Sequence, residues 1–441
     1  MRNGDAKIGE FARWTKLLFA TLVACGGRSH SAASPRTAPS SYAEYTVVGM
    51  LDGSAQVSGR FEHVSPELSL PLLGDSEDIV VEGSFERLSE TRLLAPACAR
   101  SCTFRYTVKD QSSKVLSSTK LLLMPEANRP REAKVLVRGH AASALFGHGE
   151  VRTLLFEKTR EGAPFVFGPT RHKTLGEGLE LTVVSPAKFR NPEMFDTWVK
   201  EAYGGVASLY GKAPVKMARI FLRPVEGHDH PLFGQALTLS GPAVTLLVGT
   251  ETPASELRKD WTLVHEMIHL GFPTIIGGRY WMEGLSTYFE PIVRARLRWY
   301  SAKEAWGELY RGMDDVLHTP PLAESTHHGI NATYWGGAAL MLLCDVELRL
   351  RTGRSLEQLL QQNLLRGRTS TDELTVDAAL RELDGPAGGQ GILGEFFRRH
   401  AFGREPLPIS ALFAKLGVQA DGTSDSAAPL AAIRESIMNA P

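Results

Sequence analysis

The pentapeptide His265-Glu266-Met267-Ile268-His269 reads H-E-x-x-H. On a helix, positions i and i+4 stack on one face, so the two imidazoles can share one metal ion. Glu266 projects roughly 100° from His265 around the axis, beside a water on the metal rather than on the metal itself. Two imidazoles and a proton-accepting carboxylate are the side chains that zinc hydrolysis uses. The flanks predict one helix of about 18 residues. Thr252-Pro253 supplies the N-cap and first turn, Trp261, Leu263, Val264 and Ile268 the buried face, and Gly271 with Pro273 the stop. The pentapeptide then falls near the C-terminal end. The plainer alternative is an amphipathic core helix with two hydrogen-bonded histidines. Against it, a buried Glu between two His needs a charged partner to offset desolvation.

A catalytic zinc takes three protein ligands and keeps a fourth position open. A third His beyond a nearby Gly is one solution. Here Ile275 stands at that place, and the next His is His318. A carboxylate is the other common ligand, and residues 280–290, YWMEGLSTYFE, offer Glu283. The apolar residues Trp281, Leu285, Tyr288, Phe289 and Ile292 follow helical spacing, with Glu283 in the first turn. The intervening segment, with Gly277-Gly278, allows a loop and an antiparallel return. The alternative for Glu283 is an exposed first-turn residue favoured by the helix dipole. His228-Asp229-His230 reads as a polar turn, and His327-His328 as a solvated loop.

His265-Glu266-x-x-His269 followed by Trp281-Met282-Glu283-Gly284-Leu285-Ser286-Thr287-Tyr288 resembles the gluzincin metallopeptidases. Within them it is most similar to the aminopeptidase-N-like and glycyl-aminopeptidase-like families, over about residues 190–360. The resemblance implies one Zn2+ per chain, held by His265, His269 and Glu283, with Glu266 as general base and a peptide or protein as substrate. It also implies that Glu290, on the Glu283 face of the helix together with Thr287, orients a ligating imidazole. Tyr334, in Tyr334-Trp335-Gly336-Gly337, matches a Tyr-x-x-Gly segment whose hydroxyl steadies the oxyanion. Those families usually leave a longer loop between the second His and the Glu. Their aminopeptidases carry a Gly-x-Met-Glu-Asn strand whose Glu captures the substrate amine. The corresponding stretch here, Gly234 to Gly249, holds no Asp or Glu. Endopeptidase and aminopeptidase readings both stay open. The competing class is a catalytically inactive lipoprotein that binds peptides or partners.

Residues 1–25 carry Arg2, Lys7, Arg13 and Lys16 before a short apolar run ending in Leu22-Val23-Ala24-Cys25. This pattern resembles a bacterial lipoprotein signal peptide, with Cys25 lipidated after cleavage. Residues 26–43 suit a flexible tether. A membrane is then reached through the lipid anchor only, and Gly26 after the cysteine favours the outer membrane of the cell envelope. Cys98 and Cys102 are close enough for a local disulfide in an oxidising compartment, and Cys344 sits on an apolar helix. Forty-nine basic and 49 acidic residues balance, with no basic patch, so nucleic acid is not expected as a partner.

The expected architecture is α+β and multidomain. Residues 44–185 read as a β-sandwich-like domain, with strands near 45–50, 79–85, 103–108, 120–124, 134–137, 151–156 and 179–184. Residues 186–300 read as a thermolysin-like zinc peptidase region, 301–420 as its C-terminal helical part, and 421–441 as a tail.

Overall fold

The computed structural model describes residues 40–69, 80–81, 85–109, 116–158, 162–314, 322, 331–385 and 389–439. Cys25 and the leader lie outside them, as do His318, His327 and His328.

Strict alternation builds the N-terminal strands. Along Ser101–Val108 the buried positions are Cys102, Phe104, Tyr106 and Val108. A seven-stranded sheet runs in the order Phe146–His148, Val151–Leu155, Glu132–Gly139, Tyr42–Gly49, Ala55–Glu62, Ser101–Val108, Val80–Val81. A four-stranded and a three-stranded sheet share its hydrophobic core through Leu68, Leu93, Leu116 and Phe165. Tyr45, Phe61 and Phe104 pack as a ring cluster within it. Cys98 and Cys102, both buried in this core, are joined by a disulfide. The strand expected over 120–124 is instead a helical turn, Ser118–Leu121, followed by the two-residue strand Met124–Pro125. Leu121, Leu122, Leu123 and Met124 are all buried, so this run has no solvent face for a strand to alternate with. Its carbonyls are held by Tyr106 Oη to Leu121 O at 2.6 Å and Tyr45 Oη to Leu123 O at 2.8 Å.

The second sheet has five strands: Thr170–Gly176 (β1), Leu179–Val184 (β2), Ala218–Val225 (β3), Pro231–Leu237 (β4) and Ala243–Gly249 (β5), in the order β1-β2-β3-β5-β4. The strands at 170–184, inside the β-rich stretch 44–185, thus pair with this sheet. β2, β3 and β5 are parallel, and β4 runs antiparallel to β5 as an edge strand. Parallel neighbours need a crossover, which helix α1, Met194–Leu209, provides between β2 and β3. It buries Phe195, Trp198, Val199, Ala202, Val206 and Leu209 and ends before Gly211 at φ +70°. The sheets meet where Ala144 and Val166 pack on Val184, Phe221 and Ala243.

The expected long helix over 252–270 is two pieces, the turn Ala254–Leu257 and helix α2, Thr262–Ile268. Asp260 accepts from Thr262 N at 2.8 Å and from its hydroxyl at 3.3 Å, a local side-chain turn that separates the two pieces just ahead of α2. Thr252 is not a cap: its hydroxyl turns back to Gly249 O at 2.8 Å. Helix α3, Arg279–Arg296, returns against α2, followed by α4, Ala302–Asp314, and α5, Gly337–Thr352. Shorter helices complete the C-terminal part, and the stretch expected as a tail contains Ala431–Met438. There Ile437 is buried and Arg434 Nη1 reaches Leu416 O at 2.8 Å. No helix of the described residues is long and apolar enough to cross a membrane.

Candidate metal centre

α2 brings His265 and His269 to one face, with ring centroids 5.1 Å apart. α3 places Glu283 opposite them. His265 Nε2 lies 3.2 Å and His269 Nε2 3.4 Å from the same carboxylate oxygen, Glu283 Oε2. One ligand atom from each residue lies within 4.8 Å of the others. Donors about 2.1 Å from a tetrahedral zinc stand about 3.4 Å from one another. The two imidazole–carboxylate separations are therefore those of tetrahedral edges, and the donor set, two imidazoles and one carboxylate, suits a catalytic zinc with an open position. α3 begins at Arg279, so Glu283 sits one turn in, and its side chain is only 16% exposed. That position removes the alternative of a solvated residue serving the helix dipole.

Burial opposes the ionisation of Glu283, but hydrogen bonds from both imidazoles outweigh it and hold the carboxyl well below its ordinary value. Glu266 behaves oppositely. Burial, reinforced by the charge of Glu283, pushes its carboxyl up even though His265 and His269 pull it down. Two carboxylates in one site are thus driven apart: one stays an anion, the other gains affinity for a proton. Glu266 Oε2 also accepts from Ala236 N, on the edge strand β4, at 2.7 Å. The close approach depends on Gly234, because a Cβ there would stand 2.8 Å from Glu266 Cγ and 2.5 Å from Thr262 Cγ2.

Tyr334 lies in a π-helical turn, Ala332–Gly336, that leads into α5. Its ring stacks on His265 at 5.5 Å and 11°, and its hydroxyl hydrogen-bonds to Glu283. Burial, then the charges of Glu283 and Glu266, raise its phenol well above the ordinary value, so it stays a donor. The turn is held by a backbone contact between α3 and α5. A Cβ on Gly337 would stand 2.0 Å from Tyr280 O, and one on Gly284 2.3 Å from Gly337 C. The orienting partner expected for an imidazole is not Glu290. Its carboxylate accepts from Arg294 Nη1 at 2.6 Å, one turn further along α3, and no bond to either imidazole occurs among the described residues. Thr287 Oγ1 is buried without a hydrogen-bond partner.

Four contributors escape the sequence reading: Trp261, edge-on to His265 at 5.1 Å, the Ala236 N–H, Gly234 and Arg279. Arg279 Nε stands 3.6 Å from Glu283 Oε1, the oxygen the imidazoles do not face. Two of these had a signal: a lone Gly in a strand marks close backbone approach, and Arg four residues before Glu is a helical ion-pair spacing.

No family model matches the chain, and no curated protein matches it. Solved structures do. An aminopeptidase N family protein from Idiomarina loihiensis aligns over 86% of this chain and 78% of its own, with TM-score 0.64 and 15% identity. Native yeast LTA4 hydrolase aligns over 86% of this chain and 71% of its own, with TM-score 0.51 and 11% identity. The yeast enzyme in complex with bestatin aligns over 83% and 68%, with TM-score 0.50. The chain therefore has the fold shared by an aminopeptidase N family protein and LTA4 hydrolase.

Proposed function

We propose that this chain is a zinc-dependent peptidase of the gluzincin type. The observation that carries the reading is the convergence of His265 and His269 on one oxygen of Glu283, with Glu266 and Tyr334 on the same site. Zinc bound there supplies Lewis acidity toward a scissile carbonyl and lowers the pKa of water toward about 7. Glu266 accepts the water proton and returns it to the leaving amine, a task its raised proton affinity suits. The Tyr334 hydroxyl, held at Glu283 in the site, is the donor that would turn to the oxygen where negative charge develops. The edge of β4 that does not pair with β5 offers main-chain groups to an extended peptide. Because no acid lies between Gly234 and Gly249, cleavage does not depend on a free substrate amine held there, which favours endopeptidase over aminopeptidase action. Cys25 carries a lipid that tethers the enzyme to the cell envelope; palmitate labelling that persists in Cys25→Ala would overturn this part.

The test is metal analysis of the purified protein together with a peptide-library digest. The wild type is expected to hold one zinc per chain and to cleave peptides until chelated. Glu266→Gln should keep the zinc and lose cleavage. Full cleavage by that variant, or stoichiometric zinc without any cleavage in the wild type, would reject the reading.

A further inference from the structure

Helix α2 is only seven residues long, Thr262–Ile268, so it depends on its neighbours for its place. At its C-terminal end the Tyr210 hydroxyl donates to Ile268 O at 2.7 Å. Ahead of its first turn, Arg294 Nη2 donates to Lys259 O at 2.7 Å. Arg294 lies on α3, eleven residues after Glu283. Eleven residues make three helical turns, so the two side chains leave the same face of α3, about 16 Å apart along the axis. The antiparallel pair is therefore joined at two points, by Glu283 beside the imidazoles and by Arg294 at the entry to α2.

Arg294 is 4% exposed. Its Nη1 donates to Glu290 Oε1 at 2.6 Å and stands 3.4 Å from Glu308 Oε2 on α4. Its Cζ lies 4.3 Å from the centre of the Tyr300 ring. Carboxylates and an aromatic face thus hold the planar fork, which aims Nη2 at one carbonyl. Arg258, the other cation at this entry, pairs with Glu201 but is 53% exposed, and exposed pairs contribute little. A buried ion pair is often no more stabilising than apolar packing, so the consequence of Arg294 is direction rather than stability.

We propose that Arg294 is a positioning residue for the metal centre: by tying Lys259 O to α3, it sets how the imidazoles on α2 stand against Glu283. The tie acts close to the ligands. Two residues after Lys259, Trp261 packs edge-on to His265 at 5.1 Å, and its carbonyl accepts from His265 N at 3.1 Å. A displacement of the entry therefore reaches His265 within one turn.

The proposal rests on the zinc reading of the same site, but its readouts are metal binding and do not require cleavage. The full chain takes up Zn2+ in competition with a chromophoric chelator, and separately Co2+, whose visible absorption reports ligand geometry. Glu290→Gln/Arg294→Met removes both charges of the buried pair together. It should bind zinc about tenfold more weakly, as when a contact that orients a ligand is lost, and shift the cobalt bands. Arg294→Lys keeps the charge but replaces the fork by one nitrogen, so it should also lose affinity; it supplies the reading where the double variant fails to fold. Glu290→Gln keeps an acceptor for Nη1, and Arg258→Ala breaks only the exposed pair, so both should match the wild type. Wild-type zinc affinity and cobalt spectrum in either Arg294 variant overturn the proposal, as does an equal loss in Glu290→Gln. Wild type that binds zinc and cleaves no peptide removes the peptidase reading and leaves this assignment to the metal data. Wild type that binds no metal overturns both.

Discussion

Replacing Gly337 with alanine tests whether the α3–α5 contact sets the geometry of the site. The added Cβ would stand 2.0 Å from Tyr280 O and 2.8 Å from Gly284 Cα, where real Cβ contacts do not fall under 3.0 Å. Neither neighbour is a flexible side-chain end; both are backbone. The helices must part by about 1 Å at this point, and overpacking of this kind costs about 1–3 kcal/mol. Tyr334 precedes Gly337 by three residues and Glu283 adjoins Gly284, so the same displacement draws the phenol away from the third ligand. A misplacement of about 1 Å in a reacting constellation costs on the order of 10²-fold in rate. The assay is urea unfolding together with kcat/KM on a cleaved peptide, at measured zinc content. Gly204→Ala is the control, because a Cβ there meets nothing within 4 Å and it lies on α1. That change should stabilise by up to about 1 kcal/mol and leave turnover alone. Unchanged stability and turnover in Gly337→Ala would refute the claim that the backbone contact holds Tyr334 on the site.

Two further outcomes follow from the same geometry. Tyr334→Phe should lower kcat by about 10²–10³ with zinc retained and KM little changed, since the hydroxyl acts on charge that develops only in the transition state; wild-type kcat in that variant would remove Tyr334 from the mechanism. Glu290 is pushed up to about 8, by burial first and by Glu308, despite Arg294. Its folded value exceeds its unfolded one, so the fold favours the protonated form, and stability falls as pH rises from about 4.5 through 8. Thermal melts of wild type and Glu290→Gln across that window should therefore change their separation with pH; parallel curves would show that Glu290 does not titrate there.

What the chain discloses in one dimension is what depends on spacing within one element. His265 and His269 are legible because one helical turn is enough to bring them together, and Glu283 because a short loop and a second helix leave few places for a third donor. The Arg294 partner of Glu290 was equally legible, since Glu and Arg four apart on a helix face each other. The expectation that Glu290 turns to an imidazole overlooked this nearer cation. The break at Asp260 was hidden for a related reason. Apolar periodicity runs across it, while the turn that divides the helix is made by a single side chain bonded to Thr262. The strand expected at 120–124 failed because a continuous apolar run marks burial without marking period, and two tyrosine hydroxyls from other strands decide its shape.

The Gly284–Gly337 contact belongs to a different order of information. Neither glycine has a positive φ, and each sits inside a helical pattern, where a glycine alone is a local weakness. Only the meeting of two segments distant in the chain gives them a purpose: absent side chains let two backbones approach. The same holds for Gly234 against Glu266 and for the edge of β4 that supplies the Ala236 N–H. The metal ligands are thus specified by residues that are present, and the distances among them by side chains that are missing. Substitutions that add a methyl group at Gly234, Gly284 or Gly337 should therefore be more damaging to turnover than to metal binding, because α2 holds both imidazoles within a single element.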